Sequence, residues 1–497
     1  MAGQRYLLGV DIGTGSSKGV VTTLEGRVVA LAERTHNVSM PRPGWAEMDA
    51  EAVWWSDFVA LCAELVPQAT DGRIAAVGVS GIGPCIVPAD SAGQPLRPAI
   101  LYGIDTRSMA EVDEITERYG EDRIVEVAGN PLNAQSIGGR MLWLQRHEPE
   151  VWERTRYWFM ASSYLGFRLT GAYCLDHISA SYSEPLYDVA KGAWVEQWCA
   201  ELAPGLAMPE LVWPGQVIGT VTPTAASATG LPVGIPVIGG SIDSFADSMS
   251  VGVRRPGDAV VIYGSTMSII QVTDTFRPSR PLWSNAHLLP GTFNLASGMA
   301  TSGSLTKWLR DLLGGGFDFG RLTDEARAVP AGAHGLVALP YFAGERSPLL
   351  DPDARGVILG LTLNHGRGHL YRALLEATAY GARHVLEAMH EAGASTDRSF
   401  AVGGGTTGGL WPQIISDVTG LRQEITEQSV GACYGDAMLA GVGAGLVSED
   451  AQWSARTGFV EPNPAAQEAY EFYYSAYREL HRSTVNLQHA MAERQRS

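Results

Sequence analysis

Residues Gly9 to Val21, GVDIGTGSSKGVV, leave the chain few ways to fold. The apolar run Tyr6 to Val10 reads as a strand and carries a carboxylate, Asp11, to its end. Gly13-Thr14-Gly15-Ser16-Ser17 then makes a tight turn of small residues, and Lys18 opens a second apolar run, Gly19 to Thr23. Strand, Gly-rich turn and strand make a hairpin. Its turn offers unblocked backbone N–H groups and several hydroxyls, which suits a polyphosphate. Asp11 sits where a divalent ion on those phosphates could be held through water. A Walker A loop is excluded, because Lys18 precedes Gly19 and a β-branched run follows instead of a helix. A dinucleotide fingerprint is excluded too, for want of a third glycine and a helix start. An ordinary Gly-rich hairpin has the same pattern, so the turn alone leaves both readings open.

The rest of the chain supplies context. At 497 residues two or three domains are expected, and 45% hydrophobic residues provide ample core. A net charge of -17 argues against nucleic acid or an anionic membrane as partner, so an anionic ligand must be gripped locally. Five scattered cysteines without CxxC spacing, and no basic leader or long apolar run, make a reduced, cytoplasmic protein the expectation.

Arg27 to Thr35 reads as a third strand, Pro41 to Asp49 as a loop, Ala50 to Val66 as a helix and Ile74 to Ser80 as a buried strand. Three antiparallel strands followed by alternating helix and strand imply a mixed sheet with helices packed on it. Asp105 to Val212 is mostly helical, and its Trp143, Trp152 and Trp158 read as core. Pro232 to Ile238 is a strand that runs into Gly239-Gly240-Ser241-Ile242-Asp243, followed by a short helix, Ser244 to Val251.

The opening pattern then returns. Ala259 to Tyr263 is apolar, Gly264-Ser265-Thr266 is a small turn, and Met267 to Val272 is apolar again. Two half-domains on one plan, facing across a cleft, would set two phosphate-holding turns opposite each other. Further on, Gly335 to Pro340 is a strand and Gly366 to Ala392 a long helix. Ser399 to Val402 is a strand ending in Gly403-Gly404-Gly405-Thr406-Thr407, which feeds the helix Leu410 to Thr419. Ala465 to Arg494 is a final helix with an aromatic stripe of packing residues.

Asp243 ends a strand after Gly-Gly-Ser. It is either a helix cap or, if Ser241 or Ser244 takes the cap, a carboxylate facing the cleft. In the second case it could take the proton from a hydroxyl attacking a γ-phosphoryl group, and phosphoryl transfer asks little more of a protein than such a base, a metal and donors on the phosphates. The glycines at Gly403 to Gly405 let something flat approach the backbone. Gly431 to Gly445 reads as a close-packed helix, and His365 and His369, lacking a carboxylate partner, as surface or core residues.

Together these segments resemble the FGGY family of carbohydrate kinases, nearly end to end. The hairpin is similar to that family's first phosphate loop, and PGWAEMD at Pro43 to Asp49 to the loop after its third strand. GGSIDS at Gly239 to Ser244 is similar to the stretch carrying its catalytic aspartate, and YGST at Tyr263 to Thr266 to its second phosphate loop. SLTKWLRD at Ser304 to Asp311, AGERSP at Ala343 to Pro348, DPDARGVILGLTLNH at Asp351 to His365 and LLEATAYGAR at Leu374 to Arg383 resemble further landmarks. GGGTTGGLWPQIISDVTG at Gly403 to Gly420 resembles the adenosine site.

The resemblance implies an α/β fold of two duplicated actin-like ATPase (ribonuclease H-like) domains around a central cleft, residues 1–248 and 249–497. It implies ATP and Mg2+ as cofactors. Thr14, Gly15, Ser16 and Lys18 would face the phosphates from one domain. Gly264, Ser265, Thr266, Gly303, Lys307, Gly404, Gly405 and Gly409 would hold ATP from the other. Asp11 would orient hydrated magnesium, Asp243 would deprotonate a sugar hydroxyl, and domain closure would exclude water. The family's xylulokinase branch has Gln-Met-His where this chain reads Ile82-Gly83-Pro84. Gly83, Pro84, Asp105, Arg107, Gln135 and Glu345, with Tyr102 nearby, are then expected to line or support the pocket beside Asp243. The implied acceptor is a small sugar: a ketose such as xylulose or a related pentulose or hexulose, with gluconate or a polyol as alternatives. Neither nucleic acid nor a membrane is expected as partner, and a homodimer is compatible. A non-catalytic or chaperone-type actin-fold ATPase would need neither Asp243 as base nor a sugar pocket, and it usually appends a partner-binding region. The last helix resembles the family's own C-terminus and is expected to leave no room for one. A regulatory relative that binds sugar without turnover would not keep both Asp11 and Asp243.

Overall fold

The structure is a computed structural model and describes residues 3–103, 105–314, 316, 318–426 and 430–496. The opening hairpin forms as expected, β1 (Gln4–Ile12) against β2 (Ser16–Thr23), followed by antiparallel β3 (Val28–Thr35). Asp49 accepts the N–H groups of Glu51 and Ala52 and starts the next helix. The single helix expected over residues 50–66 is in fact two conformations. Ala50–Trp55 is a wide π-type turn, and α1 (Ser56–Leu65) continues from it. β4 (Gly72–Gly81) returns parallel to β1. After α2 (Ile137–His147) and α3 (Ala161–Thr170) the sheet is completed by β5 (Val217–Thr220) and β6 (Pro236–Ile238). β6 starts four residues later than the sequence suggests, because Val233 and Gly234 form a turn. The strand order is β5-β6-β4-β1-β2-β3, with Ser241–Ile242 added beside β4.

α4 (Asp243–Ser250) leads to the second sheet, built from β7 (Asp258–Tyr263), β8 (Met267–Thr273), β9 (Trp283–Ala286) and β10 (Phe293–Met299). α5 (Gly303–Leu312), α6 (Phe319–Arg327) and the long α7 (Arg367–Glu391) separate these from β11 (Arg398–Val402). α8 (Leu410–Thr419), β12 (Gln423–Thr426), α9 (Ala432–Gly443), β13 (Arg456–Val460) and α10 (Gln467–Arg496) follow. The order is β9-β10-β8-β7-β11-β12-β13. β7, β8 and β10 repeat the antiparallel set β1, β2 and β3; β11 and β12 run parallel to β7 as β4 and β6 do to β1. The repeat glimpsed in two short turns is therefore a duplication of a whole sheet.

Each sheet has its own apolar core, and a third cluster joins them through Leu7, Val20, Phe245, Val260, Ile270 and Met438. Its centre is α9, which lies between the second sheet's strands β12 and β13 in sequence yet packs on β1, β4 and α4. Only glycine permits that approach. A Cβ on Gly9 would stand 1.9 Å from the Cys433 carbonyl oxygen, one on Gly78 would stand 2.1 Å from that of Asp436, and one on Gly435 would stand 1.8 Å from that of Ala246. The buried stripe Tyr470, Tyr474, Tyr477 and Leu480 of α10 packs in the second core, with Tyr473 at its margin. The five cysteines are buried and unpaired. Among the described residues no helix is long and apolar enough to cross a membrane.

Candidate active site

The β1–β2 turn is closed by the Gly13 N–H donating to the Ser16 carbonyl at 3.0 Å. The β7–β8 turn repeats the bond, Gly264 N–H to the Thr266 carbonyl at 3.1 Å. Each turn is braced from outside. His36 Nε2 lies 3.0 Å from the Gly13 carbonyl, and its Nδ1 lies 2.9 Å from the Asp57 carboxylate, which also accepts from Ser17 Oγ at 2.7 Å. The Gly15 carbonyl accepts the His36 N–H. At the second turn the N-terminus of α5 does the bracing: the N–H groups of Ser302 and Ser304 donate to the Ser265 carbonyl, and that of Gly303 to Gly264. Thr14 keeps its hydroxyl exposed, 3.0 Å from the Tyr102 hydroxyl.

Beside the second turn lies a pocket of about 590 Å3. Gly264, Ser265, Gly303, Lys307, Gly404 and Gly405 all line it, so six of the predicted nucleotide residues come together. Its wall includes Tyr263 and Trp411, edge to face at 5.5 Å, held by the Tyr263 hydroxyl donating to Gln423 and the Trp411 indole N–H donating to Thr378. A flat apolar wall beside exposed glycine backbone fits a purine nucleoside. Gly409 begins α8 in the left-handed region, φ 72°, and Lys307 reaches Asp311 at 2.5 Å.

Across from it, four carboxyls gather where β1, α4 and α9 meet: Asp11, Asp243, Asp247 and Asp436. Burial first, then the charge of Asp243, pushes Asp11 up to about 8, while Ser80 and Lys18 pull it down. Burial raises Asp243 to about 6 against the Ser244 N–H, and Asp247 adds to the rise. Burial likewise lifts Asp247 to about 6, opposed by Lys18. Lys18, paired across the strands with Glu33 at 3.8 Å, is the cation that moderates this field. Such a concentration of carboxyls, with Asp247 Oδ1 buried and unpartnered, fits a divalent cation held through water. Among the described residues no three His, Cys, Asp or Glu side chains converge to bind one directly.

Ser80 ties two of the four together. Its Oγ is 3.0 Å from Asp11 Oδ1 and 2.6 Å from Asp436 Oδ2. A hydroxyl has one hydrogen, so it cannot donate to both, and one carboxyl must be the acid that donates back. Burial and the Asp11 charge hold Asp436 well above the usual carboxylate range, which makes it a fitting acid partner for Ser80.

At α4 neither serine caps the helix. Ser241 Oγ turns to Asp176, at 3.4 Å, and the helix start has no side-chain cap. Asp243 accepts the Ser244 N–H at 2.7 Å with Oδ1. Gly83 packs on Ile242, where a Cβ would stand 2.7 Å from its Cγ1, which puts the Gly83-Pro84 loop beside Asp243. Asp105 and Arg107 form a buried ion pair at 2.6 Å. Arg107 also bonds Glu47 and lies 3.8 Å over the Trp45 ring, while Asp105 accepts the Ala46 N–H, locking the loop at residues 43–49 to residues 102–107. Ile104 in that stretch lies outside the described residues. Gln135 is half-buried before α2. One oxygen of Glu345, Oε1, accepts the N–H groups of Ala300 and Arg346, and burial pushes the carboxyl up to about 7. His365 and His369 are half-buried and cluster with His334.

Comparison with known proteins follows the same division. The model of the FGGY carbohydrate kinase N-terminal domain matches residues 6–249, and that of the C-terminal domain matches residues 259–444. The chain is 30% identical to a xylulose kinase of Escherichia coli, over 88% of this chain and 90% of that protein. It is 31% identical to a glycerol kinase of Nocardia farcinica, over 91% and 94% respectively. The crystal structure of a xylulose kinase from Rhodospirillum rubrum superposes with a TM-score of 0.90 at 33% identity, covering 98% of this chain and all of that one. The duplicated sheets, the paired glycine turns and these matches agree, and the chain belongs to the FGGY family of carbohydrate kinases.

Proposed function

We propose that this sugar kinase transfers the γ-phosphoryl group of ATP to a hydroxyl of a ketose or polyol, with Asp243 as general base. The observation that carries the reading is the position of Asp243 at the start of α4. One of its oxygens is occupied by the Ser244 N–H, the Gly83-Pro84 loop lies alongside, and Asp247 adds to the rise that burial gives its carboxyl. In this reading residues 1–248 form the acceptor side and residues 249–497 the nucleotide side. The nucleoside occupies the pocket walled by Tyr263, Gly404, Gly405 and Trp411, and the phosphates extend past Ser265 toward Thr14, Gly15, Ser16 and Lys18. Mg2+, held through water by Asp11, would neutralise charge on the phosphates. Asp243 accepts the hydroxyl proton as the oxygen attacks, and closure of the two halves keeps water from competing.

The acceptor is a small ketose or polyol. Xylulose and glycerol, the substrates named for the relatives, both fall in that range. Ile82-Gly83-Pro84 offers the acceptor backbone rather than long polar side chains. The test is ADP release across pentuloses, hexuloses, polyols and aldonates. ATP consumption is expected only with an acceptor present, and Asp243→Ala is expected to abolish transfer while ATP still binds. Acceptor-independent turnover that survives Asp243→Asn would establish a plain ATPase instead.

A further inference from the structure

Arg140 lies in the first turn of α2 with none of its surface exposed, in the run IGGRMLWLQRH. Its Nη1 donates to the Pro84 carbonyl at 3.1 Å and to Ile100 at 3.5 Å; its Nη2 donates to Leu101 at 2.6 Å and to Ala134 at 3.3 Å. Its buried Nε has no partner. No carboxylate among the described residues accepts a hydrogen bond from it. Burial pulls it down to about 10, opposed most by the Asp105 charge, so it stays cationic at neutral pH. A buried guanidinium without an ion-pair partner is expensive, and a neutral side chain of similar volume would avoid that cost.

What the cation holds is specific. The four carbonyls come from three separate segments, and three of them sit at or just before an acceptor-side residue: Pro84 itself, Leu101 before Tyr102, and Ala134 before Gln135. Gly83 meets Ile242 next to Asp243, and Tyr102 reaches Thr14 on the first phosphate turn. A planar fork with two terminal nitrogens can bind carbonyls on divergent loops; a single ammonium cannot keep all of these contacts.

We propose that Arg140 is a positioning residue for the acceptor, setting the spacing of Pro84, Tyr102 and Gln135 around Asp243 and so which acceptors are accepted. The inference rests on the acceptor pocket assigned above. Arg140→Lys keeps the charge and loses the fork, and it is the variant that carries the test; Arg140→Met is the more severe companion. The KM values for the preferred acceptor and for ATP, kcat, and the ratio of kcat/KM between two acceptors are measured on the full chain. With Arg140→Lys the acceptor KM is expected to rise about tenfold or more, with ATP KM within about twofold and the ratio between acceptors compressed. Unchanged acceptor KM and unchanged ratio, with only a lower melting temperature, would make Arg140 a stability residue and overturn the proposal. A parent enzyme with no acceptor-dependent turnover would overturn the assignment of the pocket itself, and this inference with it.

Discussion

Replacing Gly435 by alanine tests the contact that joins the halves. A Cβ there would stand 1.8 Å from the Ala246 carbonyl oxygen, where real Cβ atoms essentially never come within 3.0 Å. Both atoms belong to helix backbone, so no rotamer change relieves the clash and α9 must part from α4 by about 1 Å or more. Alanine gains about 1 kcal/mol of helix propensity over glycine. Overpacking costs about 1–3 kcal/mol and more where backbone must move, so the net loss is about 2 kcal/mol. With about 2 cal/mol/K of unfolding entropy per residue over 497 residues, that lowers the melting temperature by only about 2 °C. The catalytic effect is larger. α4 begins at Asp243, and a 1 Å displacement of a reacting group costs about 100-fold in rate. Differential scanning calorimetry and steady-state ADP release are run on Gly435→Ala and on Gly166→Ala as control. Gly166 is also inside a helix, α3, but a Cβ there meets only the far end of Ile218, at 2.9 Å, so that variant keeps parental kcat. A Gly435→Ala enzyme with parental kcat and melting temperature would refute the close approach of the two helices.

Two further outcomes follow from buried charge. Asp243 works as a base only when ionised, and its pKa is raised to about 6, so kcat/KM for the acceptor should fall as pH drops below that value. Asp247→Asn removes a like charge and should move the midpoint down; a flat profile between about pH 5 and pH 7 would contradict the assignment. Arg107→Met leaves Asp105 buried without its cation, while Glu47 keeps Arg97, and should cost about 3 kcal/mol in urea unfolding. Adding Asp105→Asn should recover part of the loss, and an unchanged urea midpoint for the single variant would show that the pair does not brace the loop.

The sequence disclosed the backbone features of the site better than its charges. Alternating apolar runs and glycine turns have local causes, so both glycine turns, the glycines beside Trp411 and the start of α4 at Asp243 could be read directly. The braces could not, because their partners are distant in the chain. His36 meets Gly13 across a sheet edge, Asp436 reaches Ser80 from 356 residues away, and Arg140 reads locally as a charge misplaced on an apolar helix. Asp105 and Glu345 stand out in the sequence as polar residues expected on the acceptor side, but only the fold reveals that Asp105 accepts from Arg107 and Ala46 and that Glu345 Oε1 accepts from Ala300 and Arg346.

The seating of α9 beneath the first sheet also sets a schedule. The Gly26 carbonyl receives the Tyr434 hydroxyl from 408 residues downstream, and Gly9 and Gly78 meet their neighbours only when α9 has been made. At about 5–20 residues per second, ribosomal synthesis leaves that sheet face uncovered for about 20 to 80 s. The first half therefore cannot reach its final packing while it is being translated, and the β1–β2 turn rests on an unfinished support until the second half has emerged. A nascent chain stalled before Ala432 should remain sensitive to protease in the first sheet, and one released after Gly443 should not.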